Sequence, residues 1–409
     1  MGADAQIEEG KLGVTMGDKM TSTAKASQQR KCVCCNAELV DAAISIEHIL
    51  PQALGGKLKS DRVFCGSCNN RLGNEVDVHF VQQFAFFSTT LDIKRERSKG
   101  HAKVVAKHEP SGEEVHIGPD LRIKTTKVTV ETKEVDGHEQ VRIVAPSLEV
   151  ASKIVKDYES YAAKTGGKVQ IESKEVKKIE PKGPIQVELG FGGPDGFRGA
   201  AKIVLGLYIH KDGARGDVAE LAEYVCSGKE KHLVWMHYIP RLDPTTHLTH
   251  DIIIATDTQK RLWGVVSIYG AASYIVKMGR VSDAPISLHY RHNVSEAKGE
   301  YLKPDWTPDG NDLELAFQKK EMPMAKMQDN VSAVMHVVHG KSTSSFVLGG
   351  LKEEWDRCVT EGKKTVDEEM IQRLSTVAAE RIGEAMGLTP KEIEEVLRLL
   401  STEDQDPAD

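Results

Sequence analysis

The sequence lacks several features that would assign it to a broad class at once. Its formal net charge is −7, so it is not a protein that coats nucleic acid non-specifically, and any such contact needs a local basic surface. No apolar run is long and uncharged enough to cross a bilayer, and residues 1–29 lack the apolar core of a signal peptide. Aromatic residues make up 5% of the chain, which is little for a base-stacking surface. We therefore expect a globular protein that does not bind membranes.

Cysteine is scarce outside one segment of the chain. Five of the seven cysteines lie between Cys32 and Cys68, whereas Cys226 and Cys358 are isolated in the sequence. This distribution is typical of one metal site in a reducing compartment and not of a secreted disulfide framework. The cysteine pattern therefore predicts a cytoplasmic protein.

The clustered cysteines have the spacing of a zinc site. Two residues separate Cys32 from Cys35, and two separate Cys65 from Cys68, so each pair can present two thiolates from a tight turn. Four thiolates leave no open coordination position, which predicts a structural Zn²⁺ on which a small element would depend for folding. Cys34 is a surplus thiol that could replace Cys35 as a ligand, although the spacing favours Cys35.

Three short motifs lie between and beside these cysteine pairs. They are Glu47-His48-Ile49-Leu50-Pro51, Gly55-Gly56 and Cys68-Asn69-Asn70. Phosphodiester hydrolysis needs a base that takes a proton from water and a metal that neutralises charge on the phosphate. A histidine beside a carboxylate, with an amide nearby, supplies such groups. The segment 32–73 resembles the HNH family of His-Me finger endonucleases, especially its bacterial members with Glu-His-Ile-hydrophobe-Pro, Gly-Gly and Cys-x-x-Cys-Asn motifs.

The resemblance implies a ββα-metal fold and a role for each polar residue. His48 would be the general base at the end of the first strand, and Glu47 and Asn69 would hold one Mg²⁺ or Mn²⁺. The products would carry 5′-phosphate and 3′-hydroxyl ends. The sequence departs from the family where a middle asparagine commonly braces the base, because that position falls near Ser60 or Asp61.

Basic residues near the cysteine cluster are candidates for phosphate contacts. The alternative for each of them is a solvated surface position. The candidates are Arg71, Lys94, Arg95, Arg97 and Lys99.

The pattern of the whole chain predicts an α+β protein, with a zinc-stabilised finger followed by one or two mixed α/β domains and C-terminal helices. Strands are predicted at 121–131, 141–144, 168–171, 185–189, 233–238, 251–256, 262–269 and 272–278. Helices are predicted at 148–162, 199–209 and 217–225, and capping boxes at Thr365 with Glu368 and at Thr389 with Glu392. We predict a disordered tail at 1–29, an HNH nuclease domain with structural zinc at 30–90, an α+β domain with a basic entry segment at 91–182, a mixed α/β domain at 183–300 and a largely helical region with an acidic tail at 301–409.

Three histidines near one another, His237, His247 and His250, suggest a second metal site together with Asp243. Their spacing is unlike that of a helical histidine pair. We therefore expect them to cap strand edges or face water.

Two hypotheses from different classes follow. The first is an endonuclease that cuts DNA, with RNA not excluded, in bacterial defence or restriction by analogy, whose C-terminal region recognises the substrate or regulates activity. The second is a non-catalytic zinc-finger module that binds nucleic acid or protein. Either hypothesis is compatible with a homo-oligomer, with a regulatory ligand and with a partner protein.

Overall fold

The structure is a computed structural model. It describes residues 30–40, 44–95, 100–125, 128–135, 138–166, 168–170, 183–238, 248–281, 284–303, 306–319, 324–363, 365–389, 391–395 and 398.

The architecture is α+β, as the sequence predicts. The strands in the described residues are β1 Glu47–His48, β2 Lys59–Ser60, β3 Val104–His108, β4 Glu114–Ile117, β5 Ile123–Thr125, β6 Thr129–Val135, β7 His138–Val144, β8 Ile185–Gln186, β9 Val234–Met236, β10 Thr249–Thr256, β11 Arg261–Ile268, β12 Ala272–Arg280, β13 Ser287–Asn293 and β14 Lys298–Leu302. The helices are α1 Gly66–Leu72, α2 Val78–Gln83, α3 Ala85–Thr90, α4 Leu148–Thr165, α5 Gly193–His210, α6 Ala219–Ser227, α7 Gly310–Lys319, α8 Met324–Thr360 and α9 Glu368–Ala385.

The strands form antiparallel sheets of very different size. The largest sheet has the order β14-β13-β10-β11-β12-β9, and a four-stranded sheet has the order β5-β4-β3-β8. The pairs β1-β2 and β6-β7 are two-stranded. In the large sheet, β10 and β11 are buried along almost their whole length, because helices cover both of their faces.

Helix α5 lies between the N-terminal finger, residues 30–90, and the large sheet. Every residue from Gly199 to Ile209 is buried, as expected for a helix that is apolar on nearly all sides. Glycine permits the close approach to the finger, since a Cβ atom at Gly199 would lie 2.4 Å from the ring of Phe80. One hydrophobic core therefore runs from the finger through α5 to the inner face of the sheet.

The outer face of the large sheet has a smaller core of its own. Trp263, Val265 and Ile275 of the sheet pack there with Leu313 of α7. Helices α8 and α9 pack on each other, and Val334 and Val338 of α8 join the main core. The C-terminal helices are thus attached to both the sheet and the rest of the chain.

Several local predictions are confirmed. Helix α4 ends at Gly166 in the left-handed conformation, and the helices and strands predicted between 199 and 278 are present with shifted ends. The second capping box forms, because the Thr389 amide donates to the Glu392 carboxylate over 2.7 Å and the Glu392 amide donates to Thr389 Oγ1 over 3.4 Å. The tail 1–29 and the acidic residues 403–409 lie outside the described residues.

Other local predictions are wrong for identifiable reasons. The predicted strand 121–131 starts later, since Pro119 begins a 3₁₀ turn in which Leu121 has a φ of 58°, and its residues belong to two strands, β5 and β6. Residues 168–170 of another predicted strand are not in a strand. Helix α9 begins with Asp367 as its N-cap, which accepts a hydrogen bond from the Met370 amide, and not with the predicted capping box of Thr365.

Candidate metal centre and nuclease site

The sulfur atoms of four cysteines lie close together in the finger. The Sγ atoms of Cys32, Cys35, Cys65 and Cys68 all lie within 4.8 Å of one another, and those of Cys35 and Cys65 are 3.6 Å apart. A tetrahedral Zn²⁺ with bonds of about 2.3 Å needs sulfurs about 3.8 Å apart. The four sulfurs therefore fit a structural Zn²⁺, and among the described residues this is the one such group of three or more metal-ligating side chains.

The thiols of this group cannot all lose their protons without a cation. Burial raises the pKa of Cys68 far above its usual value. Burial also acts to raise the pKa of Cys65, but hydrogen bonds from Ser67 and from the Cys68 backbone lower it to about 6. One thiolate thus makes it harder to ionise the next, and a divalent cation would remove this conflict.

The structure corrects the prediction for the remaining cysteine of the cluster. Cys34 is not a surplus thiol, because it forms a disulfide with Cys226 across a Cα–Cα distance of 5.3 Å. Cys226 is therefore not isolated either. Helix α6, which carries Cys226, packs beside the finger, and this long-range contact cannot be read from local spacing.

The segment that contains Glu47 and His48 forms a short hairpin. Glu47 of β1 pairs with Ser60 of β2, and His48 pairs with Lys59. Glu47 is buried whereas His48 is half-buried, because successive residues of a strand point to opposite faces. Only the histidine of this pair is thus partly accessible.

Asn69 reaches the same hairpin from α1. Its side-chain amide donates to Ser45 Oγ over 2.9 Å, and it also makes a hydrogen bond that acts to lower the pKa of Glu47. The predicted site residues Glu47 and Asn69 are thus neighbours. Ser60, which with Asp61 lies near the position of the missing middle asparagine, is buried, and its hydroxyl accepts a hydrogen bond from the backbone amide of Arg62.

Residues 32–85 match the family model described as HNH endonuclease. The predicted resemblance is confirmed for this segment. The match covers a small part of the 409-residue chain. No curated protein and no solved structure matches the chain. The match supports nuclease activity in general and nucleic acid as the substrate.

A residue outside the HNH segment enters this site. Lys202 of α5 is 4% exposed, and its Nζ atom donates to Glu47 Oε1 and, over 2.8 and 2.6 Å, to both carboxylate oxygens of Asp77. The sequence analysis missed both Lys202 and Asp77. A signal was present, because Lys202 is the one charged residue in the apolar run 199–209.

The charges of this cluster depend on one another. The carboxylates of Asp77 and Glu47 raise the pKa of Lys202 against the opposing effect of burial, so the lysine is positively charged. Burial raises the pKa of Glu47, and Asp77 adds to this rise while Lys202 opposes it. A buried carboxylate, Glu47, and a half-buried one, Asp77, thus share one ammonium group.

Oxygen donors of this kind suit Mg²⁺ or Mn²⁺ in their chemistry. Mg²⁺ is commonly held by one or two carboxylates while water and substrate phosphate complete its coordination. Glu47 and Asn69 supply a carboxylate and an amide, which fit such an ion. In the structure, however, Glu47 is bonded to Lys202.

The loop that joins β1 to β2 is fixed to the large sheet. The carbonyl of Leu54 accepts hydrogen bonds from His250 Nε2 over 2.9 Å and from the Tyr269 hydroxyl over 3.1 Å. His250 Nδ1 accepts the Tyr269 amide, so this histidine is neutral, and burial lowers its pKa to about 3. The expectation that His250 caps a strand edge or faces water is therefore wrong. The loop and the sheet are joined here instead.

The structure describes only some of the residues that we predict to contact nucleic acid. Arg71 lies on α1 and forms an ion pair of 3.0 Å with Glu75. Lys94 is exposed and Arg95 is half-buried. Arg97 and Lys99 lie outside the described residues, as do His247 and Asp243 of the second metal site considered above.

No helix in the described ranges combines the length and the apolar character that a membrane span requires.

Proposed function

We propose that the protein is a metal-dependent HNH endonuclease that hydrolyses phosphodiester bonds of DNA. The observation that carries this proposal is the pair Glu47-His48 on β1, with Asn69 beside it, in a segment that matches HNH endonucleases. The four cysteines hold Zn²⁺ for folding, and Glu47 and Asn69 hold Mg²⁺ or Mn²⁺ for the reaction.

Each residue has one task in this proposal. His48 takes the proton from the attacking water, a step that needs a base within hydrogen-bond reach of the nucleophile. The bound divalent ion neutralises charge on the phosphate and on the departing 3′ oxygen. Arg71, Lys94 and Arg95 would hold the phosphate backbone near the hairpin, with Arg97 and Lys99 on the adjoining segment.

The larger part of the chain would recognise the substrate or regulate the nuclease. We assign the protein by analogy to bacterial defence against phage, such as restriction. We place it in the cytoplasm because the four-cysteine cluster favours that compartment, whereas the disulfide between Cys34 and Cys226 is of a kind that reducing compartments rarely keep. The substrate is DNA in this proposal, and RNA is an outcome of the test below.

The test uses supercoiled plasmid and a labelled RNA of matched length, each with Mg²⁺ or Mn²⁺. Wild type is compared with His48→Ala, and His79→Ala is the matched control because His79 is an exposed histidine of the same segment. We expect nicking by wild type and by His79→Ala, with a loss of about 10²-fold or more for His48→Ala. Equal nicking by wild type and His48→Ala would contradict the role of His48.

A second candidate function is favoured by one observation, the bond between Glu47 and Lys202. A carboxylate that is permanently bonded to an ammonium group would leave a zinc-finger module that binds nucleic acid or protein without cutting it. Gel-shift binding of DNA or RNA without cleavage under any divalent ion would support this candidate against the enzyme.

A further inference from the structure

Helix α5 inserts a cation between two carboxylates of the HNH segment. Lys202 comes from a helix that begins more than a hundred residues after the segment ends, whereas Glu47 and Asp77 both belong to the segment. Its ammonium group contacts one oxygen of Glu47 and both oxygens of Asp77. A cation is therefore already present beside the carboxylate that the proposed reaction needs.

The ammonium group and a divalent ion compete for the negative charge of one carboxylate, since Lys202 Nζ already donates to Glu47 Oε1. Lys202 cannot turn into solvent, because its neighbours on α5 from Gly199 to Ile209 are buried on all sides. A divalent ion placed beside it would meet a like charge in a water-poor site, where the repulsion between neighbouring charges is poorly screened. Binding of a divalent ion at Glu47 is therefore opposed as long as the bond between Glu47 Oε1 and Lys202 is kept.

Asp77 gives Lys202 a partner when that happens. Its two oxygens lie 2.8 and 2.6 Å from Lys202 Nζ, so the ammonium keeps a complete carboxylate partner after Glu47 has turned away. The charge of Lys202 would then stay compensated at every stage.

We propose that Lys202 is an internal counter-ion that holds Glu47 in a metal-free state, and that Asp77 retains Lys202 when Glu47 exchanges the ammonium for a divalent ion. This inference rests on the proposed function, since it takes Glu47 as the carboxylate of the catalytic ion. The packing of α5 against the finger then sets the affinity of the nuclease site for metal. The chain outside the HNH segment thereby controls metal binding by that segment.

Mn²⁺ binding to the full-length, zinc-loaded protein tests this inference directly. The concentration of free Mn²⁺ is measured from its electron paramagnetic resonance signal, to which bound Mn²⁺ does not contribute. The charge-matched comparison is wild type against the double variant Lys202→Met with Asp77→Asn, because one cation and one anion are removed together. We expect the double variant to bind Mn²⁺ at least about tenfold more tightly than wild type.

Two further variants locate the effect. Adding Glu47→Gln to the double variant removes the released carboxylate, and we expect the gain in Mn²⁺ affinity to be lost. Asp77→Asn alone leaves Glu47 as the one carboxylate bonded to Lys202, and we expect it to bind Mn²⁺ severalfold more weakly than wild type. Asp77→Asn keeps the test decisive if the double variant does not fold, as judged by circular dichroism and zinc content.

The inference and the proposed function fail in different ways. Equal Mn²⁺ affinity of wild type and the folded double variant, or tighter binding by Asp77→Asn than by wild type, would overturn the counter-ion role. Absence of nucleic-acid cleavage by wild type contradicts the proposed function, and the order of Mn²⁺ affinities would still support the competition between Lys202 and metal.

Discussion

Cys34, in the turn between Cys32 and Cys35 of the sulfur cluster, is joined by a disulfide to Cys226 of α6. The two residues are 192 positions apart in the sequence. The finger is therefore attached covalently to the part of the chain that packs on the large sheet.

Removal of this disulfide should destabilise the protein. A native disulfide typically contributes about 2–4 kcal/mol, because it restricts the unfolded chain. We expect urea unfolding of wild type to shift to lower urea concentration when dithiothreitol is added. The double variant Cys34→Ser with Cys226→Ser is the control, and its unfolding curve should not respond to dithiothreitol. An unchanged wild-type curve would show that the bond contributes nothing to stability.

Zinc content separates the roles of the adjacent cysteines. Elemental analysis should find one zinc per chain in wild type and in Cys34→Ser, since Cys34 is not among the four converging sulfurs. Cys35→Ser and Cys68→Ser should lose zinc and unfold the finger, because such sites contribute about 10–16 kcal/mol of binding energy to folding. Retention of zinc by Cys35→Ser together with its loss in Cys34→Ser would reverse the assignment.

The neutral His250 should make the fold sensitive to acid. Burial lowers the pKa of His250 to about 3 in the folded chain, whereas the unfolded chain binds this proton near pH 6.5. The unfolded state therefore binds more protons between these values, and stability falls as the pH is lowered from 6.5 towards 3. Between pH 7 and pH 5 we expect a loss of about 2 kcal/mol from this residue.

Urea unfolding at pH 7 and pH 5 measures this loss. His250→Gln is the matched variant, because glutamine has a donor and an acceptor but does not titrate in this range. Its stability should change less with pH than that of wild type, while the effect of acid on the zinc site is common to both proteins. Equal pH dependence would show that His250 does not cause the loss.

Gly56 allows the loop to return close to the end of the hairpin. A Cβ atom at this position would lie 2.1 Å from the backbone oxygen of Leu50, which is closer than any contact permits. We expect Gly56→Ala to lower the free energy of unfolding by about 2–4 kcal/mol. Gly73→Ala is the control, since Gly73 has helical φ and ψ and no atom within 4 Å of an added Cβ. Thermal unfolding of both variants measures the difference, and equal melting temperatures would contradict this explanation.

Local patterns predicted a large part of the structure. The spacing of the cysteines predicted the sulfur cluster, and the pattern of residues 148–162 predicted α4, because both depend on neighbouring residues. Where two local signals competed, the prediction was wrong. Thr365 and Asp367 can both cap a helix, and only the complete chain decides that Asp367 does so.

Contacts between distant residues were beyond the sequence analysis. The bond between Cys34 and Cys226 and the contact of Lys202 with Glu47 depend on how α5 and α6 pack against the finger. The environment of His250 depends on the approach of Leu54 from the finger. A lysine within an apolar helix nevertheless signals a buried partner, because an unpaired buried ammonium is strongly unfavourable.

The burial of α5 on both sides bears on protein engineering. A fragment that stops after residue 110 would lose the helix that covers Phe80 and Ile49, and these apolar side chains would face water. Such a fragment would aggregate more readily than it would cut, whatever its zinc content. A transplantable cleavage module would have to carry α5 with it, grafted through a designed linker.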